Sequence, residues 1–279
     1  DFSFDLLKRD SSYLQLNGIF GLEYIISATQ SGKIFYQAQR SYLLGGGLDT
    51  NNILLTKTLP PNIDVGSGNF GISYNFNNTN YNLNPRRGND FEITGTAGIK
   101  KITKNNDIIN LKDPANPAFD FNSLYDTIKL KSYRLRLMAA ASHYMPMGKR
   151  STLKTALHGG WYQSPQTFRN ELFQIGGYQL LRGFDEESIY ANQYAVFTAE
   201  YRYLVGINSY FFIFSDAGLT QTKFNGADYS NNFISGGIGL QFETKFGLLN
   251  LSYAMGKRND IKFDIRSASK IHFGYINYF

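Results

Sequence analysis

The sequence predicts an all-β protein, a transmembrane antiparallel β-barrel of about twelve strands, on three observations. Apolar and polar residues alternate with a period of two in segments about ten residues long, enough for a tilted strand to cross a bilayer. Aromatic side chains gather at strand ends, at Tyr201 and Tyr203 and at Tyr275 and Phe279, as interfacial girdles do. Connections alternate between short (30–33, 82–89, 146–150, 206–208, 245–247) and long (45–68, 101–130, 164–193, 223–231), the asymmetry of outer-membrane barrels.

Taken along the chain, strands are expected near 1–9, 12–29, 32–45, 67–80, 90–101, 130–145, 151–163, 193–205, 209–222, 232–245, 247–257 and 268–279. Phe70, Ile72, Tyr74 and Phe76 alternate with Asn69, Gly71, Ser73 and Asn75. Phe91, Ile93, Gly95, Ala97 and Ile99 alternate with Glu92, Thr94, Thr96, Gly98 and Lys100. Leu135 and Leu137 alternate with Arg134 and Arg136, and Leu153, Leu157 and Trp161 with Lys154 and His158. Ala195, Phe197, Ala199, Tyr201 and Tyr203 alternate with Thr198, Glu200 and Arg202. Leu249, Leu251, Tyr253 and Met255 alternate with Asn250, Ser252, Ala254 and Gly256. Each such strand has one apolar and one polar face. A soluble β-sandwich or lipocalin-like shell would share that pattern, and the strand length, aromatic ends and loop asymmetry favour the membrane barrel over it. An even strand number puts both termini on the side of the short turns, the periplasm. One barrel domain, 1–279, is expected, with segment 164–193 as its unusual loop.

Composition narrows the chemistry. With 279 residues and Cys 0, disulfides, Cys-ligated zinc and thiol nucleophiles are excluded, and His 3 is too few for a His-rich metal site, so no cofactor is expected. No apolar run approaches the ~18 residues of a membrane helix; the densest is Tyr210-Phe211-Phe212-Ile213-Phe214. The net charge of +6 comes from scattered Lys and Arg, not a stripe, so nucleic acid is not expected as a partner. The chain opens without Met or a basic-then-apolar leader, as a processed product or fragment would. Enzymatic activity is not expected either. Ser142 and His143 are adjacent and point to opposite faces of a strand, and His158 has no evident nucleophile beside it. Gly45-Gly46-Gly47 reads as a loop start, not a phosphate cradle, since no helix is expected after it.

The loop carries Gln174-Ile175-Gly176-Gly177-Tyr178-Gln179-Leu180-Leu181-Arg182-Gly183-Phe184-Asp185. Its paired glycines permit close backbone approach. Glu200 and Asp216 lie on the two following strands, at alternation positions facing the lumen. A loop folded into the barrel would bring Arg182 to both carboxylates, with Phe184 and Tyr178 packing against the wall.

These residues resemble the outer-membrane assembly-factor superfamily of BamA, TamA and the two-partner secretion translocators such as FhaC, the bacterial surface antigen barrel domain. The family's [VIL]-R-G-[FY] loop tip matches Leu181-Arg182-Gly183-Phe184, preceded by Ile175-Gly176-Gly177. Its F-x-D-x-G wall motif matches Phe214, Asp216 and Gly218, and Glu200 matches the acid of the preceding strand. A Pro-Arg-x-Gly turn matches Pro85-Arg86-Arg87-Gly88, and the last strand ends in Phe273, Gly274, Tyr275 and Phe279, with Asn277 departing from the usual apolar residue. The match is strong from about 68 to 279 and thin before it. Family barrels have about sixteen strands and periplasmic POTRA repeats, so the chain corresponds to the later three quarters of such a barrel without POTRA repeats.

The resemblance implies a Gram-negative outer-membrane location and a function in inserting client β-barrel proteins without ATP. It implies that Arg182 holds the loop through Glu200 and Asp216. The last strand would form one lip of a weak seam, where Gly274 lacks a packing side chain. Implied partners are client barrels, membrane lipids, lipopolysaccharide and accessory lipoproteins. The competing readings are a two-partner-secretion pore, a barrel anchor for a larger surface protein, and a passive porin lined by Arg134, Arg136, Lys154 and Glu92. The basic pairs Lys101, Lys104, Lys257 and Arg258 at outer strand ends read first as solvated rim.

Overall fold

A computed structural model of the chain describes residues 2–9, 13–224 and 226–276. Twelve strands form one antiparallel sheet with every strand beside its sequence neighbour, the long loop's own hairpin apart. They are β1 (Phe2–Arg9), β2 (Tyr13–Ser27), β3 (Gln30–Leu43), β4 (Val65–Asn77), β5 (Gly88–Ile102), β6 (Lys131–Pro146) and β7 (Ser151–Gln163). After the small pair β8 (Phe173–Ile175) and β9 (Ile189–Ala191) come β10 (Gln193–Leu204), β11 (Tyr210–Phe224), β12 (Ala227–Thr244), β13 (Gly247–Arg258) and β14 (Ser269–Ile276). The twelve expected strands coincide with the twelve of the large sheet. Phe279 and Asn277, assigned to the seam strand from sequence, lie outside the described residues. Among the described residues no ladder joins β1 to β14.

The period of two decides which face is which. Along β11, Tyr210, Phe212, Phe214, Asp216, Thr220 and Thr222 are buried while Phe211, Ile213 and Leu219 are exposed. Along β10, Thr198, Glu200 and Arg202 are buried and Phe197, Tyr201 and Tyr203 exposed. The outward band of bare apolar side chains is what hydrocarbon would cover. No helix among the described residues is long and apolar enough to cross a membrane.

The sheet curls around the segment between β7 and β10. Gln174 of that segment donates to Tyr13 Oη on β2 at 2.6 Å, and Asn170 donates to Ser41 Oγ on β3 at 2.9 Å. Arg182 reaches β10 and β11, and Gly183 lies against Gly256 of β13. One segment touches strands from one end of the sheet to the other only if the sheet wraps it.

At the long-loop end, the connections build a small apolar cap. Ile53, Ile63, Ile102, Ile108, Phe121, Tyr125 and Phe168 pack together there, Ile102 from the end of β5 and the others from the connections after β3, β5 and β7. Ile53 lies on helix α1 (Thr50–Thr56), whose N-cap Asp49 accepts the Asn52 N–H at 3.0 Å. A helix therefore does follow Gly45–Gly47, against the sequence reading. The carboxylate of its own cap, Asp49, takes a first-turn N–H and places a negative charge at the helix start, so the glycines still form no anion cradle. Ile108 lies on the second short helix, α2 (Asn106–Ile109).

The connection expected at 223–231 is not a long loop. The β11–β12 ladder runs on to Phe224↔Ala227. Beyond the apolar band the strands turn polar on both faces, which erases the alternation but not the backbone pairing. Lys223 and Asp228 form an exposed ion pair at 3.0 Å.

Candidate functional site

The loop enters the barrel through a sequence of backbone turns that favour glycine. Gly177 has φ +104°, and a β-carbon there would collide with the Glu186 carboxylate, which accepts the Tyr178 N–H at 3.0 Å. Gly183 has φ +89° and sits against the backbone of Met255 and Gly256 on β13. Leu181, though not glycine, also has φ +64°. A leucine held in that region stores strain, sustained here because its side chain is buried against Gly218 of β11.

That kink aims Arg182 at the wall. Its Nε and Nη2 donate to Asp216 Oδ2 and Oδ1 at 3.0 and 2.9 Å, and its backbone N–H donates to Asp216 Oδ2 at 3.0 Å. Nη1 reaches Glu200 Oε2 at 2.5 Å. Thr198 Oγ1 donates to Asp216 Oδ1 at 2.8 Å, and the Phe214 ring lies 3.5 Å beneath the guanidinium carbon. The forked guanidinium fits two carboxylates that a lysine would engage one at a time. Burial works against the charge of Arg182, yet the hydrogen bonds to Asp216 and the charge of Glu200 hold its pKa above the ordinary value. The structure thus places Leu181, Arg182, Glu200, Phe214, Asp216 and Gly218 in one cluster.

Phe184 and Tyr178 occupy seats cut by glycines. Phe184 meets Phe233 edge-on at 5.2 Å and fills the space where a Gly256 β-carbon would stand. Tyr178 fills the corresponding space at Gly274 on β14. Burial pushes the Tyr178 hydroxyl pKa up, so it stays protonated at neutral pH. Gly274, read from sequence as a weak point, therefore has a packing reason as well. Phe273 and Tyr275 point outward.

Gly256→Ala is expected to lower stability by about 1–3 kcal/mol, since the new carbon would stand 2.6 Å from the Gly183 carbonyl, a backbone atom pinned by its neighbour Arg182. Gly274→Ala finds its nearest atoms all in the Tyr178 ring, the closest at 2.5 Å, a side chain that can shift where a backbone cannot. Its smaller loss should vanish in a Tyr178→Ala background. Urea midpoints of the variants in bicelles check both.

Two sets of residues escaped the sequence reading. Gly183 N–H donates to His272 Nε2 at 2.9 Å, which requires that nitrogen to be unprotonated. Lys270 pairs with Asp185 at 2.6 Å. Successive inward residues of β14, Lys270, His272 and Gly274, are thus all engaged by the loop. At the loop's base, the buried Lys100 pairs with buried Glu171 at 2.6 Å. Alternation with Ile99 marks Lys100 as inward, and His272 is buried beside the exposed Phe273; their partners in the loop have no periodic signal.

The fold and site define a transmembrane barrel whose lumen is occupied by a loop clamped to its inner wall. The Omp85 superfamily domain matches residues 64–275, and the chain belongs to that superfamily. Its structure is similar to BamA from Haemophilus ducreyi lacking POTRA domains 1–3, with TM-score 0.61 and 16% identity, over 94% of this chain and 53% of that one. The chain therefore spans about half the length of that relative. LpxR from Salmonella typhimurium (TM-score 0.33, 10% identity, 94% of this chain and 86% of that chain) and the CymD monoaromatic hydrocarbon channel (TM-score 0.36, 12% identity, 89% and 69%) superpose too poorly to bear on the argument. No curated protein sequence compared with the chain matches it.

Proposed function

We propose that this chain is the membrane-embedded part of an outer-membrane insertion factor, which admits client β-barrel proteins at the edge of β14 without ATP or a cofactor. An unpaired strand edge in hydrocarbon leaves N–H and C=O groups unsatisfied at several kcal/mol each. A client strand adding to such an edge satisfies them pair by pair. The observation that carries the reading is the loop tip, which binds Glu200 and Asp216 on one side and β14 through His272 on the other. Holding or releasing the tip would set how firmly β14 keeps its place. Family membership and the fold shared with BamA support the outer membrane as the location, with the short turns facing the periplasm. Clients, lipids, lipopolysaccharide and accessory lipoproteins are the partners this reading entails.

The test is reconstitution into phospholipid vesicles with a urea-denatured outer-membrane barrel, its folding followed by heat-modifiable gel mobility. Folding faster than in empty vesicles is expected; equal rates would overturn the reading. Planar-bilayer conductance separates it from a translocation pore, which would show large stable openings in place of brief flickers.

A further inference from the structure

A line of buried hydrogen bonds runs from the loop tip to the opposite mouth of the barrel, and the function proposed above makes no use of it. Arg202 donates from Nε to Glu200 Oε1 at 2.8 Å and from Nη1 to Asn84 Oδ1 at 3.1 Å. Asn84 in turn donates from Nδ2 to the Ile207 carbonyl at 2.9 Å. Arg202 and Asn84 are 6% and 2% exposed, and the Arg202 guanidinium lies 4.8 Å over the Tyr210 ring. Glu200 divides its oxygens between the two arginines, Oε2 for Arg182 and Oε1 for Arg202.

Asn84 belongs to the turn 78–87 between β4 and β5, and this turn is built stiff by asparagines. Asn80 Oδ1 accepts the N–H groups of Arg86 and Arg87, each at 2.9 Å, and Asn78 Oδ1 accepts that of Asn89 at 2.7 Å. Arg86 Nη2 then donates to the Gly148 and Lys149 carbonyls at 3.0 and 2.9 Å in the next short turn. Asn208, in the turn after that, donates to Tyr81 Oη at 3.4 Å. Turn 78–87 thus lies across the mouth and not outside it. A cavity of about 540 Å³ separates it from the loop, with Leu83 and Pro85 on one side and Tyr178, Gln179 and Arg182 on the other.

We infer that turn 78–87 is a second closure of the barrel and that Arg202 is the positioning residue coupling it to Arg182. When Arg182 leaves, Glu200 loses the partner that fixes one of its oxygens, and the geometry that points Arg202 at Asn84 relaxes. Freeing Asn84 loosens Glu200 by the same route, since coupling free energy is reciprocal. The inference concerns the lumen alone and stands whether or not the chain inserts clients.

Because the chain has Cys 0, introduced cysteines report access cleanly. Pro85→Cys reports on the turn and Leu180→Cys on the loop, each read as the rate of reaction with a membrane-impermeant maleimide in nanodiscs. Arg202→Met is expected to speed labelling at both sites by about fivefold or more, Arg182→Lys to speed it at the Pro85→Cys site, and Asn84→Ala at the Leu180→Cys site. Changes confined to the end that carries the substitution overturn the inference. Should Arg202→Met fail to give heat-modifiable barrels, Arg202→Lys, which keeps the charge and loses the fork, is read on the same criterion.

Discussion

Asp216→Ala is expected to destabilise the folded barrel by about 3–5 kcal/mol, the usual consequence of stranding one member of a desolvated ion pair. Asp216 accepts from the Arg182 backbone, from both Nε and Nη2 of its guanidinium, and from Thr198. Its side chain is 1% exposed, so water does not replace those bonds. Glu200→Ala should matter less, because Arg182 would keep its forked grip on Asp216, while Arg202 would lose the carboxylate that points it at Asn84 and keep the Tyr210 face. Arg182→Lys should rescue little, since an ammonium engages one carboxylate where the guanidinium spans two. Urea unfolding in bicelles measures the loss, and limited proteolysis between Gln174 and Ile189 shows whether the loop has left the lumen. Wild-type midpoints with a protected loop in Asp216→Ala would refute this account of the clamp.

Most of the wall is legible in the sequence because one physical rule, apolar outside and polar or small inside, repeats along every strand. That rule fails where the strands leave the apolar band. At Thr222↔Tyr229 and Lys223↔Asp228 the backbone still pairs while the side chains no longer alternate, and a ladder is mistaken for a loop. It also says nothing about α1, held by one Asp49 cap and by apolar neighbours brought from distant connections. Within the site, Arg182, Glu200 and Asp216 are legible through motif and parity together. Arg202, Lys100 and His272 have the right parity but no motif. Asn84 and Glu171 have neither, since both lie outside the large sheet's strands, in segments whose place is set only when that sheet curls around them. Sequence reasoning therefore finds the tip of the clamp and misses what holds the loop's base and what links it to the other mouth.

The loop's base predicts a second large effect. Lys100 Nζ donates to Glu171 Oε2 and Oε1 at 2.6 and 2.8 Å and to the Gln166 carbonyl at 2.5 Å. Glu171 also accepts from Tyr162 Oη at 2.7 Å and from the Phe168 N–H at 3.0 Å. The side chains of Lys100 and Glu171 are 0% and 2% exposed, drier than the clamp at the tip. Glu171→Leu leaves a buried ammonium and orphans the Tyr162 and Phe168 donors, so a loss of about 3–5 kcal/mol is expected. Lys100→Met, which removes the cation and leaves Glu171 with its other two donors, should cost less. The double replacement Lys100→Met with Glu171→Leu restores an apolar contact of similar volume but still orphans the Tyr162 hydroxyl and the Phe168 N–H. It should therefore recover only part of the loss, each orphan costing about 1–3 kcal/mol. A double-mutant cycle on unfolding free energies in bicelles should accordingly be strongly non-additive. Additivity would mean that the pair is incidental and that the apolar cap around Phe168 alone keeps the loop's base in place.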